Sequence, residues 1–128
     1  MTRSADDLVI EARRRITRVH PEALGQVLVE GGLVIDIRPA AQRAEEGALD
    51  GAIVVERNVL EWRLDPDGAH RLPAVRGHDQ RVVIVCSEGY ASSLAAAALV
   101  DIGFTRAADL QGGYRAWHDW NERKVVRL

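Results

Sequence analysis

One cysteine, Cys86, and one lysine, Lys124, stand in a chain of 128 residues. A lone thiol excludes any internal disulfide and argues against a secreted scaffold held together by bridges. It also excludes a structural zinc site, because the four histidines lie scattered without ligand spacing. Positive charge is not in excess: 17 basic residues, nearly all arginine, face 19 acidic ones. Neither nucleic acid nor an acidic membrane surface is therefore an expected partner. Long apolar runs are missing too. The N-terminal stretch Leu8-Val9-Ile10 is too short for a signal sequence and far too short to span a membrane, so a reducing cytoplasm is the expected compartment. No repeat, low-complexity tract or linker interrupts the chain, which is expected to form one domain over residues 1–128, with 1–16 as a helical extension. A chain of this size buries roughly two-thirds of its unfolded surface and needs no staple.

What is present is an alternation of helical and strand patterns. Ser4 and Asp7 resemble a capping box, and Leu8, Glu11, Ala12 and Arg15 follow at helical spacing, predicting a helix over 4–15. His20-Pro21-Glu22 opens a second helix, closed by Gly31-Gly32. Leu33 to Ile37 reads as a buried parallel strand. A helix from Pro39 to Glu46 is stopped by Gly47. A short strand over 52–55 and a short helix over 58–64 come next. Asp65-Pro66-Asp67-Gly68 has the residues of a type I turn, and 69–80 lacks periodicity and reads as loop. Arg81 to Val85 is the strongest strand, followed by Cys86–Ala91, an alanine-rich helix from Ser92 to Ile102, a strand over 104–110 and a last helix after Gly112-Gly113. Alternating strands and helices imply an α/β fold, an open parallel sheet with helices on both faces.

In such sheets, sites form beyond the carboxyl ends of the strands. Cys86 occupies such a place. The six residues Cys86 to Ala91 are too few for regular structure, and a tight turn there directs successive backbone N–H groups toward the sulfur. Gly89 helps by tolerating positive φ, and the next helix adds its positive N-terminal end. Both effects favour an anion on sulfur, whether thiolate, persulfide or bound oxyanion. The plainer reading, a small buried hydrophobe at a strand end, suits an arbitrary cysteine. The strand–Cys-x-x-Gly–helix arrangement weighs against it here.

The run Val83-Ile84-Val85-Cys86-Ser87-Glu88-Gly89-Tyr90-Ala91-Ser92-Ser93 resembles the active-site loop of the rhodanese family. Val34-Ile35-Asp36-Ile37-Arg38 resembles that family's early Asp-x-Arg strand. Glu46 to Ala52 resembles its middle Gly-His-Ile-Pro-Gly-Ala segment, and Leu110 to Trp117 its closing Gly-Gly-x-x-x-Trp. Each motif is weak alone; four in order, spanning about residues 17–121, are specific. The resemblance implies a rhodanese-like α/β fold and transfer of sulfane sulfur through a persulfide on Cys86. It implies a small sulfur-containing anion or a persulfide as donor, a thiol or cyanide as acceptor, and no metal or organic cofactor. Ser87, Glu88, Gly89, Tyr90, Ala91 and Ser92 are then the anion-binding loop.

Three departures from the family pattern bear on the donor. Ala91 stands where many members have arginine, Ala48 and Asp50 replace the histidine and proline of the middle motif, and Glu88 adds negative charge to the loop. These disfavour a doubly charged donor such as thiosulfate more than they disfavour the persulfide. Arg57 or Arg63, ahead of the Pro-Gly turn, is the candidate replacement cation. The resemblance makes Asp36 and Arg38 structural, as an ion pair or a turn contact near the site. Trp62 and Tyr90 are candidates for the pocket mouth, and Trp117 and Trp120 for the core. No histidine is placed for catalysis, though His70 and His78 lie in a loop that folding brings to an unknown place.

A cysteine-dependent phosphatase is the nearest enzymatic rival. It needs an arginine clamp in a longer loop, and Ser92 stands where a Cys-x5-Arg motif puts that arginine. A rhodanese-like module that binds a partner or senses a persulfide without turnover is a rival of another class. Retention of Cys86 argues against it.

Overall fold

The computed structural model describes residues 1–126, with side chains through Lys124. Five parallel strands form one sheet: β1 (Thr17–Val19), β2 (Leu33–Asp36), β3 (Ile53–Val54), β4 (Val82–Val85) and β5 (Ala107–Leu110), in the order β1-β5-β4-β2-β3. The helices are α1 (Ala5–Arg13), α2 (Leu24–Val29), α3 (Ala40–Glu46), α4 (Leu60–Leu64), α5 (Ala91–Ile102) and α6 (Gly113–Val126), with short 3-10 turns at Pro21–Ala23 and Arg57–Val59.

The central strand shows why the sheet is covered twice. All four residues of β4 are buried, and their side chains alternate between faces. Val82 and Ile84 join Leu33, Ile35, Leu60, Leu64 and Leu99 in one core, under α4 and α5. Val83 and Val85 join Val34, Ala108, Leu110, Val27 and Tyr114 in the other, under α2 and α6. Such two-sided burial requires continuous apolar strands rather than alternating ones. Cys86 continues the parity of Val82 and Ile84 and lies on the α5 side, where the sheet ends.

Punctuation follows local chemistry. The capping box at Ser4 and Asp7 is formed, with each backbone N–H bonded to the other residue's side chain at 3.0 Å. Gly47 and Gly103 end their helices at φ 111° and 120°, and the Gly68 N–H closes the Asp65 turn at 3.1 Å. One element departs from the sequence expectation. Thr17–Val19, which lies between the two expected N-terminal helices and outside every expected element, is an edge strand paired with β5. Its three residues include an arginine and carry no apolar run. Among the described residues, no helix is long and apolar enough to cross a membrane.

Candidate active site

Cys86 follows β4 directly, at the carboxyl edge of the sheet and at its centre. The side chain is 8% exposed. Its Sγ accepts the Gly89 N–H at 3.1 Å and the Ser92 N–H, from the first turn of α5, at 3.3 Å. Gly89 takes φ +89°, and a Cβ there would lie 2.8 Å from the Gly112 nitrogen, so only glycine fits.

The loop's carbonyls are held on its outside. Cys86 C=O accepts the Tyr114 N–H at 2.8 Å and Ser87 C=O accepts the Arg115 N–H at 3.1 Å, so the start of α6 grips the back of the loop. Gly113 allows that approach, since a Cβ there would stand 2.5 Å from Ser87 O and 2.6 Å from Cys86 O. In a planar trans peptide the C=O and N–H point in opposite directions. The N–H groups of Ser87 and Glu88 are therefore turned away from α6. Gly89 C=O, in turn, accepts from Arg13 Nη2 at 2.8 Å and Arg18 Nη2 at 2.9 Å.

Two buried ion networks brace this arrangement. Arg38, 1% exposed, makes a bidentate pair with Asp36 (Nε–Oδ1 3.0 Å, Nη2–Oδ2 2.7 Å) and lies 4.0 Å over the Tyr114 ring. It also donates to Glu46 at 3.2 Å. Glu46 accepts from the Ser87 hydroxyl at 2.5 Å and from Arg115 Nε at 2.9 Å. Burial alone would raise the Glu46 carboxyl, but the hydrogen bonds from Ser87, Arg115 and Arg38 outweigh it and hold it below the usual carboxylate range. On the other side, Asp109 is fully buried. Its carboxylate accepts from Arg18, from the Ser92 hydroxyl at 2.8 Å and from the Ser93 hydroxyl at 2.7 Å.

In front of the sulfur is a pocket of about 410 Å³, bounded by Ile37, Pro39, Gln42, Arg57, Tyr90 and Ala91 together with Cys86, Ser87, Glu88 and Arg38. Most of the sequence candidates meet here. Tyr90 is at the mouth, 55% exposed. Arg57 lines the wall but pairs with Glu61 at 2.9 Å. Asp36 and Arg38 form the expected ion pair.

Other candidates are placed elsewhere. Arg63 donates to His70 C=O and does not line the pocket, and neither does Trp62, 60% exposed. His78 lies tilted against Phe104, and His118 stacks on Tyr114. Glu88 lines the pocket and lies 3.4 Å from Arg115 in an exposed pair, with Arg115 also bonded to Glu46. Arg13, Arg18 and Asp109 lie outside the motifs, and Arg115 fills a variable position of the closing Gly-Gly-x-x-x-Trp. The available signal was an acid inside the apolar strand Ala107-Ala108-Asp109-Leu110, since a buried carboxylate demands a cationic partner.

A parallel α/β domain with a cysteine cradled at the end of its central strand defines the class. The chain belongs to the rhodanese-like domain family, whose model matches residues 20–119. Thiosulfate sulfurtransferase GlpE of Pseudomonas entomophila is 31% identical over 102 residues, covering 78% of this chain and 83% of that protein. Among solved structures, a Rhodopseudomonas palustris protein of unknown function, described as a possible tyrosine phosphatase, superposes with a TM-score of 0.84. It is 27% identical, over 94% of this chain and 93% of that one. A rhodanese homologue from Thermus thermophilus is 33% identical with a TM-score of 0.56, over 77% of this chain and 98% of that one.

Proposed function

We propose that the chain is a rhodanese-type sulfurtransferase that carries sulfane sulfur as a persulfide on Cys86. The carrying observation is the sulfur itself, at the carboxyl end of the central strand, accepting two backbone N–H groups and opening onto the 410 Å³ pocket. The Cys86 thiolate attacks the outer sulfur of the donor. The donor's S–S bond breaks and its electron pair leaves with sulfite or an organic thiolate. A thiol or cyanide acceptor then attacks the terminal sulfur, the Sγ–S bond breaks, and the Cys86 thiolate returns. The cycle is redox-neutral and needs no metal or organic cofactor. The backbone donors of Ser87 to Ser92 stabilise the persulfide anion through fixed dipoles.

The pocket lining supports an organic persulfide over thiosulfate as donor. Position 91 is alanine, Arg57 is shared with Glu61, and Ile37, Pro39 and Tyr90 present apolar surface. With no second cysteine, discharge falls to an external thiol, as fits a chain working in a reducing cytoplasm. Residues 1–128 act as one unit in this reading, 1–16 included.

The test is turnover with two donors at equal concentration, followed by thiocyanate or product-persulfide formation. The expected result is activity that Cys86→Ser abolishes, with kcat/KM for an alkyl persulfide about tenfold or more above that for thiosulfate, one apolar-contact or charge-pair increment. Loss of the preference would discard the donor assignment. Absence of turnover with every donor would leave a binding module.

A further inference from the structure

The guanidinium of Arg13 reaches from the last turn of α1 into the cysteine loop, although α1 precedes the stretch that the family model matches. It makes three contacts there. Nη2 donates to Gly89 C=O at 2.8 Å, Nε donates to Ser93 Oγ at 3.0 Å, and the guanidinium carbon lies 5.4 Å from the centre of the Tyr90 ring. Arg18 of β1 donates to the same carbonyl at 2.9 Å, but its charge is met by the buried Asp109. Arg13 spends its donors on neutral acceptors, so its charge remains available to the loop.

We propose that Arg13 is the positioning residue of the Cys86 loop, clamping the Gly89 carbonyl and the Tyr90 ring and supplying from behind the positive charge that Ala91 does not. The clamp has a backbone consequence. With Gly89 C=O drawn toward α1 and β1, the Tyr90 N–H of the same peptide unit turns the other way, away from α1 and β1. The Gly89 N–H already donates to Sγ at 3.1 Å, so the guanidinium lies within two hydrogen bonds and one residue of the sulfur. At that range, inside roughly one Debye length at physiological salt, a cation still acts on an anion at the site. The kinetic meaning for sulfur loading rests on the proposed function; the electrostatic claim does not.

The experiment uses the full chain and two alkylating probes of nearly equal size, neutral iodoacetamide and anionic iodoacetate. Attack by the Cys86 thiolate displaces iodide and forms an S–C bond in both, and the single cysteine makes the label readable by intact mass. Arg13→Gln is expected to lower the iodoacetate-to-iodoacetamide rate ratio about fivefold, the effect of removing one nearby charge at intermediate dielectric. Arg13→Lys, which keeps the charge, is expected to restore the ratio to within about twofold on the same Coulomb argument. A merely structural role would change both rates together and leave the ratio alone. Should Arg13→Gln not fold, Arg13→Met, which keeps an apolar stem over Tyr90, carries the same measurement. An unchanged ratio in a folded variant would overturn the proposal. Because alkylation needs no sulfur donor, uptake of sulfur with an unchanged ratio would sink this inference alone. A lowered ratio without sulfur uptake would sink only the proposed function.

Discussion

At the scale of the residue, the site depends as much on two glycines as on the cysteine. Gly89 and Gly113 face each other's segments so closely that neither position has room for a Cβ. Gly113 also sits at φ +68°, so a side chain there meets both backbone strain and the carbonyls of Cys86 and Ser87. Gly113→Ala is expected to destabilise the chain by about 1–3 kcal/mol, the usual cost of a strained left-handed position. Denaturant unfolding measures it. Unaltered stability would mean that α6 does not bear on the loop as closely as the hydrogen bonds from Tyr114 and Arg115 imply. The lone cysteine and its glycine were legible in the sequence, because Cys-x-x-Gly after an apolar strand is a local pattern. The cations were not, because Arg13 and Arg18 lie more than seventy positions from the loop they hold and only folding brings them there.

At the scale of the element, strand period and helix caps account for what was readable. Strands β2 and β4 are continuous apolar runs, as two-faced burial requires, and their boundaries fall within a residue of expectation. Strand β1 was invisible because three residues with a central arginine show no periodicity, and it exists only through its pairing with β5. Elements also meet at Glu46, where the end of α3 receives Arg38 from beyond β2, Ser87 from the loop and Arg115 from α6. A carboxyl held below its ordinary value of 4.5 stabilises the fold above that pH and loses the contribution as pH falls through the depressed value. The unfolding free energy of the parent chain is therefore expected to drop more steeply below pH 4.5 than that of Glu46→Gln, which lacks the titrating group. Urea titrations at several pH values give the comparison. Parallel pH profiles would show that Glu46 does not couple these elements.

At the scale of the molecule, the sheet order puts β4 in the middle and the two cores on either side, so Cys86 stands at the end of a strand packed on both faces. Around that sulfur, five separate segments supply the supports: α1 with Arg13, β1 with Arg18, the end of β2 with Asp36 and Arg38, the end of α3 with Glu46, and the start of α6 with its backbone N–H groups. A preorganised cradle of this kind suits an anion that forms and is discharged without rearrangement of the protein. The central claim is that this anion is a persulfide on Cys86, and intact mass measures it most directly. The purified chain is treated with an organic persulfide or thiosulfate, weighed, then treated with cyanide and weighed again, beside Cys86→Ser. The account predicts a gain of one sulfur atom that requires Cys86 and is removed by cyanide. A chain whose Cys86 stays unmodified with every donor, while still accepting an alkylating label, would contradict it.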